Sequence, residues 1–113
     1  MIHIMRLDEP YFDLIINNKK RVEIRLNDTK RKSLLVGDTI KFLNKNDQNR
    51  SIITMIDELK TYTSFKEIFL NTPSNTLGWG DLHINDMLKK MYKIYTIDAE
   101  KYFGVIKITF HII

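Results

Sequence analysis

Hydrophobic and polar positions divide the chain into short segments of alternating period. Ile2, Ile4 and Leu7 mark a first strand. Phe12, Ile15 and Ile16 then fall on one helical stripe after Asp8, a residue that caps helices, and Pro10, which the first helical turn tolerates. Val22, Ile24 and Leu26 alternate with Arg21, Glu23 and Arg25, the period-two pattern of a half-buried strand. Asn27 to Leu35 is polar and predicts a turn or short helix, and Gly37-Asp38 predicts a turn into a strand over 39–43. A polar hairpin loop over 44–50 leads to a longer apolar strand from Ser51 to Leu59, extending toward Tyr62. Ser64-Phe65-Lys66-Glu67 has the form of a capping box and predicts a short helix to Phe69 or Leu70. A loop follows over 72–80. Ile84, Met87, Leu88, Met91, Tyr92 and Tyr95 then recur at helical spacing. Ile106, Ile108, Phe110 and Ile112 alternate with Lys107, Thr109 and His111 in a closing strand. Strands and helices mix without regular βαβ alternation. The expected class is α+β: a small, curved, mostly antiparallel β-barrel with flanking short helices.

Composition narrows the function classes. The 113 residues fit one domain, 1–113, and 43% hydrophobic content suffices for a compact core. The formal charge of +4 is compatible with an anionic partner. Cysteine is absent, which excludes disulfides and thiolate metal sites. The three histidines are far apart, and no carboxylate spacing resembles a metal motif, so neither a metal nor a cofactor is expected. The N-terminus lacks the apolar stretch of a signal peptide, and no run approaches the roughly 18 residues of a membrane span. The expectation is a cytoplasmic protein without a membrane partner.

The charge is concentrated. From Asn17 to Lys32 there are seven Lys or Arg and two acids, Glu23 and Asp28. On a strand, Arg21, Glu23 and Arg25 project from one face, setting a carboxylate between cations and suiting a polyanion. Lys20 has the opposite parity and must reach that face from the turn before the strand. Lys30 and Arg31 are candidate phosphate contacts, and Asp28 reads as a turn residue or an arginine partner. Trp79, between two glycines, can cover the barrel end or stack on a base; Tyr95 can belong to the core or present its hydroxyl at a cleft rim. Ser51, Ser64 and Thr96 have no His–acid partners nearby in sequence, so nothing supports a serine-type triad.

These residues also carry a family pattern. Pro10-Tyr11-Phe12 precedes a helix, Ile16 to Arg25 reads I-x-x-x-K-x-x-E-x-R, and Arg25-Leu26-Asn27-Asp28, Lys30-Arg31 and Gly37 to Phe42 follow in order. Tyr62 to Phe65, Tyr95 and Gly104 to Ile108 complete it. In this the chain resembles the ASCH domain family, whose barrel is shared with PUA-like RNA-binding domains. Asn18 stands where that family usually has glycine; Asn is the residue other than glycine best suited to positive φ. The resemblance implies a role with RNA or a nucleotide, in a basic cleft lined by Lys20, Glu23 and Arg25; by their own chemistry Lys30, Arg31 and Tyr95 are further candidate contacts. Some small relatives hydrolyse N4-acetylcytidine with a Lys, a Thr three residues later and a distant Glu. Here Glu23 follows Lys20 in place of that hydroxyl. The resemblance therefore points to an RNA-binding module first. A hydrolase on RNA or a modified nucleoside, with Lys20 and Glu23 as acid–base candidates, and an adaptor docking an acidic protein are the alternatives.

Overall fold

A computed structural model describes the chain from Met1 to Ile113. Five strands are present: β1 (Ile2–Leu7), β2 (Val22–Leu26), β3 (Thr39–Asn44), β4 (Ser51–Tyr62) and β5 (Val105–Ile112). They form one curled sheet in the order β1-β3-β4-β5-β2. The β1–β3 pair is parallel and the other three are antiparallel. Four helices accompany them: α1 (Glu9–Ile16), α2 (Phe65–Leu70), α3 (Ile84–Tyr92) and α4 (Ile97–Phe103). This is the expected α+β architecture, a half-barrel rather than a closed one. No helix is long and apolar enough to cross a membrane.

Two apolar cores follow from strand parity. The concave face gathers Met5 and Leu7 of β1, Ile40 and Phe42 of β3, Ile52 and Ile56 of β4, and Ile106, Ile108 and Phe110 of β5. Phe12 and Ile15 of α1 close over it, whereas Ile16 remains exposed. The convex face carries Val22, Ile24 and Val105 beneath Phe65, Ile68 and Phe69 of α2 and Met87 and Met91 of α3. β2 is therefore covered on both sides. Its concave positions are Glu23, opposite Ile108, and Arg25, opposite Ile106. A salt-bridged pair thus occupies places that the other four strands fill mainly with hydrocarbon. β1 and β2 are the two edges of the curled sheet, and the barrel stays open between them.

Local chemistry explains most element boundaries. Asn18 takes φ 58°, the only non-glycine residue at positive φ, and turns the chain from α1 toward β2. Asp8 holds the N-cap position of α1 without a side-chain cap bond; its carboxylate instead faces Lys45 at 3.7 Å. Half of the expected capping box forms. Ser64 accepts the Glu67 N–H at 3.2 Å, but the Glu67 carboxylate turns to the Thr63 hydroxyl. The first N–H of α2 is bound by a distant carboxylate, Glu100 of α4, at 2.8 Å.

The sequence pattern extends one helix to Tyr95, but the structure ends α3 at Tyr92 and begins another at Ile97. Thr96 caps this second helix through the Ala99 N–H at 3.1 Å, and Gly104 ends it at φ 71°, ψ −173°. That conformation is nearly confined to glycine, and a Cβ there would lie 3.1 Å from the Tyr62 carbonyl oxygen. Gly104→Ala is expected to lower unfolding free energy by about 1–3 kcal/mol in urea denaturation.

Candidate functional site

The open seam between β1 and β2 is a cleft of about 120 Å³. Its floor is ionic. Lys20 lies in the turn before β2, where its backbone bridges Leu77. Its Nζ donates to the Val22 carbonyl at 2.7 Å, stands 3.2 Å from Glu23 Oε1, and lies 5.9 Å from the centre of the Tyr11 ring. Arg25 holds the other carboxylate oxygen, with Nε at 3.0 Å and Nη2 at 2.8 Å from Oε2. The same Nη2 donates to the Arg6 carbonyl of β1 at 3.1 Å, so Arg25 spans the seam. The Ile24 N–H approaches Glu23 Oε1 at 3.3 Å.

Of this triad, Lys20 and Glu23 are buried, each only 6% exposed, and Arg25 is half-buried. Burial opposes charge on Glu23, but the charges of Lys20 and Arg25, with their hydrogen bonds, outweigh it and hold the carboxyl below its ordinary value. Burial likewise works against the Arg25 cation, and Glu23, then Tyr95 and Asp28, outweigh it and raise its pKa. Gly78 keeps Lys20 in place by its lack of a side chain. It sits at φ 85°, and a Cβ there would come within 2.8 Å of Leu14 Cδ1 and 3.3 Å of Lys20 Cβ.

Above this floor the walls are aromatic and the mouth is cationic. Tyr11, Trp79 and Tyr95 line the walls. Tyr95 lies beyond α3, tied by its N–H to the Met91 carbonyl at 2.9 Å, with its ring stacked on Phe65 at 5.5 Å. Burial pushes its hydroxyl pKa up, against the pull of Arg25. Trp79 packs edge-on against Phe69 at 5.9 Å, and its Nε1–H is buried without a partner. It packs against the convex-face core and also faces the cleft. Arg6, Lys45 and Lys90 stand at the mouth. The lining holds five cationic and two acidic side chains, an excess of three positive charges.

Lys20, Glu23, Arg25 and Tyr95 thus converge on one cleft. Arg21 does not share their face: it precedes β2, its side chain is exposed, and its backbone is tied to Thr76 and Phe110. Lys30 is exposed and outside the cleft. Arg31 also lies outside the lining and pairs with Asp28 at 3.6 Å, although its charge is felt at the Tyr95 hydroxyl. Asp28 accepts the Arg31 N–H at 3.1 Å, a turn role. His3 and His111 pair with Asp38 and Asp57, and His83 caps α3. Sequence reasoning missed Arg6, Lys45 and Lys90, because nothing local marks which strand ends border an open seam. Tyr11 had a signal, its place in the Pro10-Tyr11-Phe12 motif.

Comparisons with known proteins give the family and the fold. The sequence model described as the ASCH domain matches residues 5–113. The hypothetical protein PH0355 has a crystal structure 30% identical to this chain, with TM-score 0.89 and full coverage of both chains. The solution structure of protein PF0455 from Pyrococcus furiosus is 26% identical, with TM-score 0.78, over 100% of this chain and 98% of that one. A crystal structure of an ASCH domain from Lactobacillus crispatus shares the fold at 13% identity and TM-score 0.67, over 98% of this chain and 79% of that one. No curated protein matches the chain.

Glu23 makes the triad sensitive to acid. Its folded pKa is depressed, so its stabilising contribution is complete above the ordinary carboxylate value of 4.5 and is lost as pH falls through the lower folded value. Glu23→Gln leaves two buried cations without their counter-charge and is expected to cost about 3–5 kcal/mol at neutral pH. Below pH 4.5 the gap between variant and wild type should narrow, as urea midpoints across the pH range would show.

Proposed function

The chain belongs to the ASCH domain family, and from that premise we propose that it acts as one RNA-binding module across residues 1–113, taking a nucleotide of a single strand into the seam cleft. The observation that carries the reading is the excess of three positive charges over aromatic walls in a cleft of about 120 Å³. Aromatic rings stack on any base, and exposed cations at the mouth attract phosphate. Such a volume is far below the several hundred Å³ of a drug-sized pocket and suits a single base. The proposed contacts are Lys20, Glu23, Arg25 and Tyr95 within the cleft, Arg6, Lys45 and Lys90 at its mouth, and Lys30 and Arg31 on the neighbouring turn.

The ionic floor favours binding over hydrolysis. Both Glu23 oxygens already accept hydrogen bonds, and a carboxyl held below its ordinary pKa is a weak general base. Lys20 is engaged by Val22 and Glu23, and Glu23 stands where the amidohydrolase relatives place a hydroxyl. A carboxylate there also opposes a developing oxyanion. Incubation with N4-acetylcytidine should release no cytidine. Turnover abolished by Lys20→Ala and Glu23→Ala would make the protein a hydrolase instead.

Binding of single-stranded RNA should weaken steeply with salt, with a log–log slope of about −0.7 per phosphate neutralised. Arg6, Lys45 and Lys90 are exposed, so replacing all three by Ala should leave the fold intact. By the same rule the triple variant should flatten the slope by about 2. Fluorescence anisotropy at several salt concentrations reads this out. An unchanged slope would move the interface to another surface.

A further inference from the structure

A second feature of α3 extends the proposed cleft. Lys90 and Met91 face the cleft, whereas Asn85, Leu88, Lys89, Tyr92 and Lys93 line a shallow hollow on the other flank of the helix. None of Lys89, Lys90 and Lys93 is paired with a carboxylate, and Asp86, one turn earlier, does not reach them. The hollow therefore carries uncompensated positive charge.

Its aromatic element is held rigidly. Tyr92 is 38% exposed, yet its hydroxyl donates to the buried Glu100 carboxylate, at 2.9 Å from Oε1 and 3.0 Å from Oε2. Glu100 in turn binds the Phe65 N–H, and the Phe65 ring meets Tyr92 edge-on at 6.0 Å. Burial and the Glu100 bond push the Tyr92 hydroxyl up to about 12, so it stays protonated and keeps donating. Glu100 and Phe65 fix the ring before any ligand arrives, and such preorganisation reduces the cost of binding.

We propose that this hollow is a second nucleotide subsite, in which Tyr92 stacks a base next along a single strand and Lys89 and Lys93 hold its phosphates. The inference rests on the cleft reading above. Cleft and hollow lie on opposite flanks of one helix, about 10 Å apart by the width of a helix. A strand crossing over Lys90 reaches both. The charge of the hollow suits the phosphates, and Tyr92, 38% exposed within it, supplies the aromatic group for stacking.

Two probes separate the subsites: uridine 5′-monophosphate, and a single-stranded polyuridine RNA of about ten nucleotides, within the usual span of one single-strand-binding module. Wild-type protein should bind the RNA at least 10-fold more tightly than the monophosphate. The double variant K89A/K93A changes only exposed side chains. It should weaken RNA binding about 5- to 30-fold and flatten its salt slope by about 1.4, two phosphates' worth, while monophosphate affinity stays the same. Tyr92→Leu should weaken RNA binding with no change in that slope, the mark of lost stacking rather than lost charge. RNA bound no more tightly than the monophosphate, or RNA binding unaffected by K89A/K93A, would overturn the second subsite and leave the cleft reading standing. Failure of the wild-type protein to bind either probe would overturn both.

Discussion

The carboxylate of Glu23 between Lys20 and Arg25 is the interaction on which the rest of the structure depends. β2 is an edge strand with both faces covered, and its concave face meets the hydrocarbon of Ile106 and Ile108. An unpaired charge in that position would be costly; a carboxylate saturated by two cations and a backbone N–H is tolerated. The same three side chains also join separate parts of the fold. Lys20 ties the turn after α1 to β2, and Arg25 reaches across the open seam to the Arg6 carbonyl. Such a network contributes less to net stability than well-packed hydrocarbon would. Its distinctive effect is to give the open seam a fixed polar floor, tied across to β1 by Arg25.

From this floor the character of the cleft follows. Glu23 neutralises one of the two floor cations and Asp8 faces Lys45, so the excess of three positive charges is shared between the floor and the mouth residues Arg6, Lys45 and Lys90. The aromatic residues are positioned by packing: Tyr95 on Phe65, Trp79 against Phe69, and Tyr11 beside Lys20. The result is a cleft whose rings are held by the core and whose exposed charges lie at the rim.

Much of this was legible in the sequence because it is local. Alternation at Val22 to Leu26 and Ile106 to Ile112 marked two strands that the structure reproduces, but β2, expected to be half-buried, is covered on both faces because α1 closes over its charged side as well. The parity of Lys20 required it to approach from a turn, and Asn18 makes that turn at positive φ. Other features depend on long-range contacts. The break between α3 and α4 was hidden because Tyr95 continues the apolar spacing of Met87 and Met91, although Thr96, Asp98 and Gly104 carried the cap signals of a new helix. Arg21 left the shared face because β2 begins one residue later. The seam itself is a property of strand order, and strand order is not written in any single segment. For that reason Arg6, Lys45 and Lys90 looked like ordinary solvated cations.

The most direct test uses the single tryptophan. The indole Nε1–H of Trp79 is buried without a partner in the cleft wall, so it gives one resolved reporter in a ¹⁵N–¹H correlation spectrum. Titration with single-stranded RNA should shift this resonance together with the backbone amides of Lys20 and Tyr95, along one saturable curve. An indole resonance that stays fixed while the RNA binds elsewhere on the protein would contradict the account.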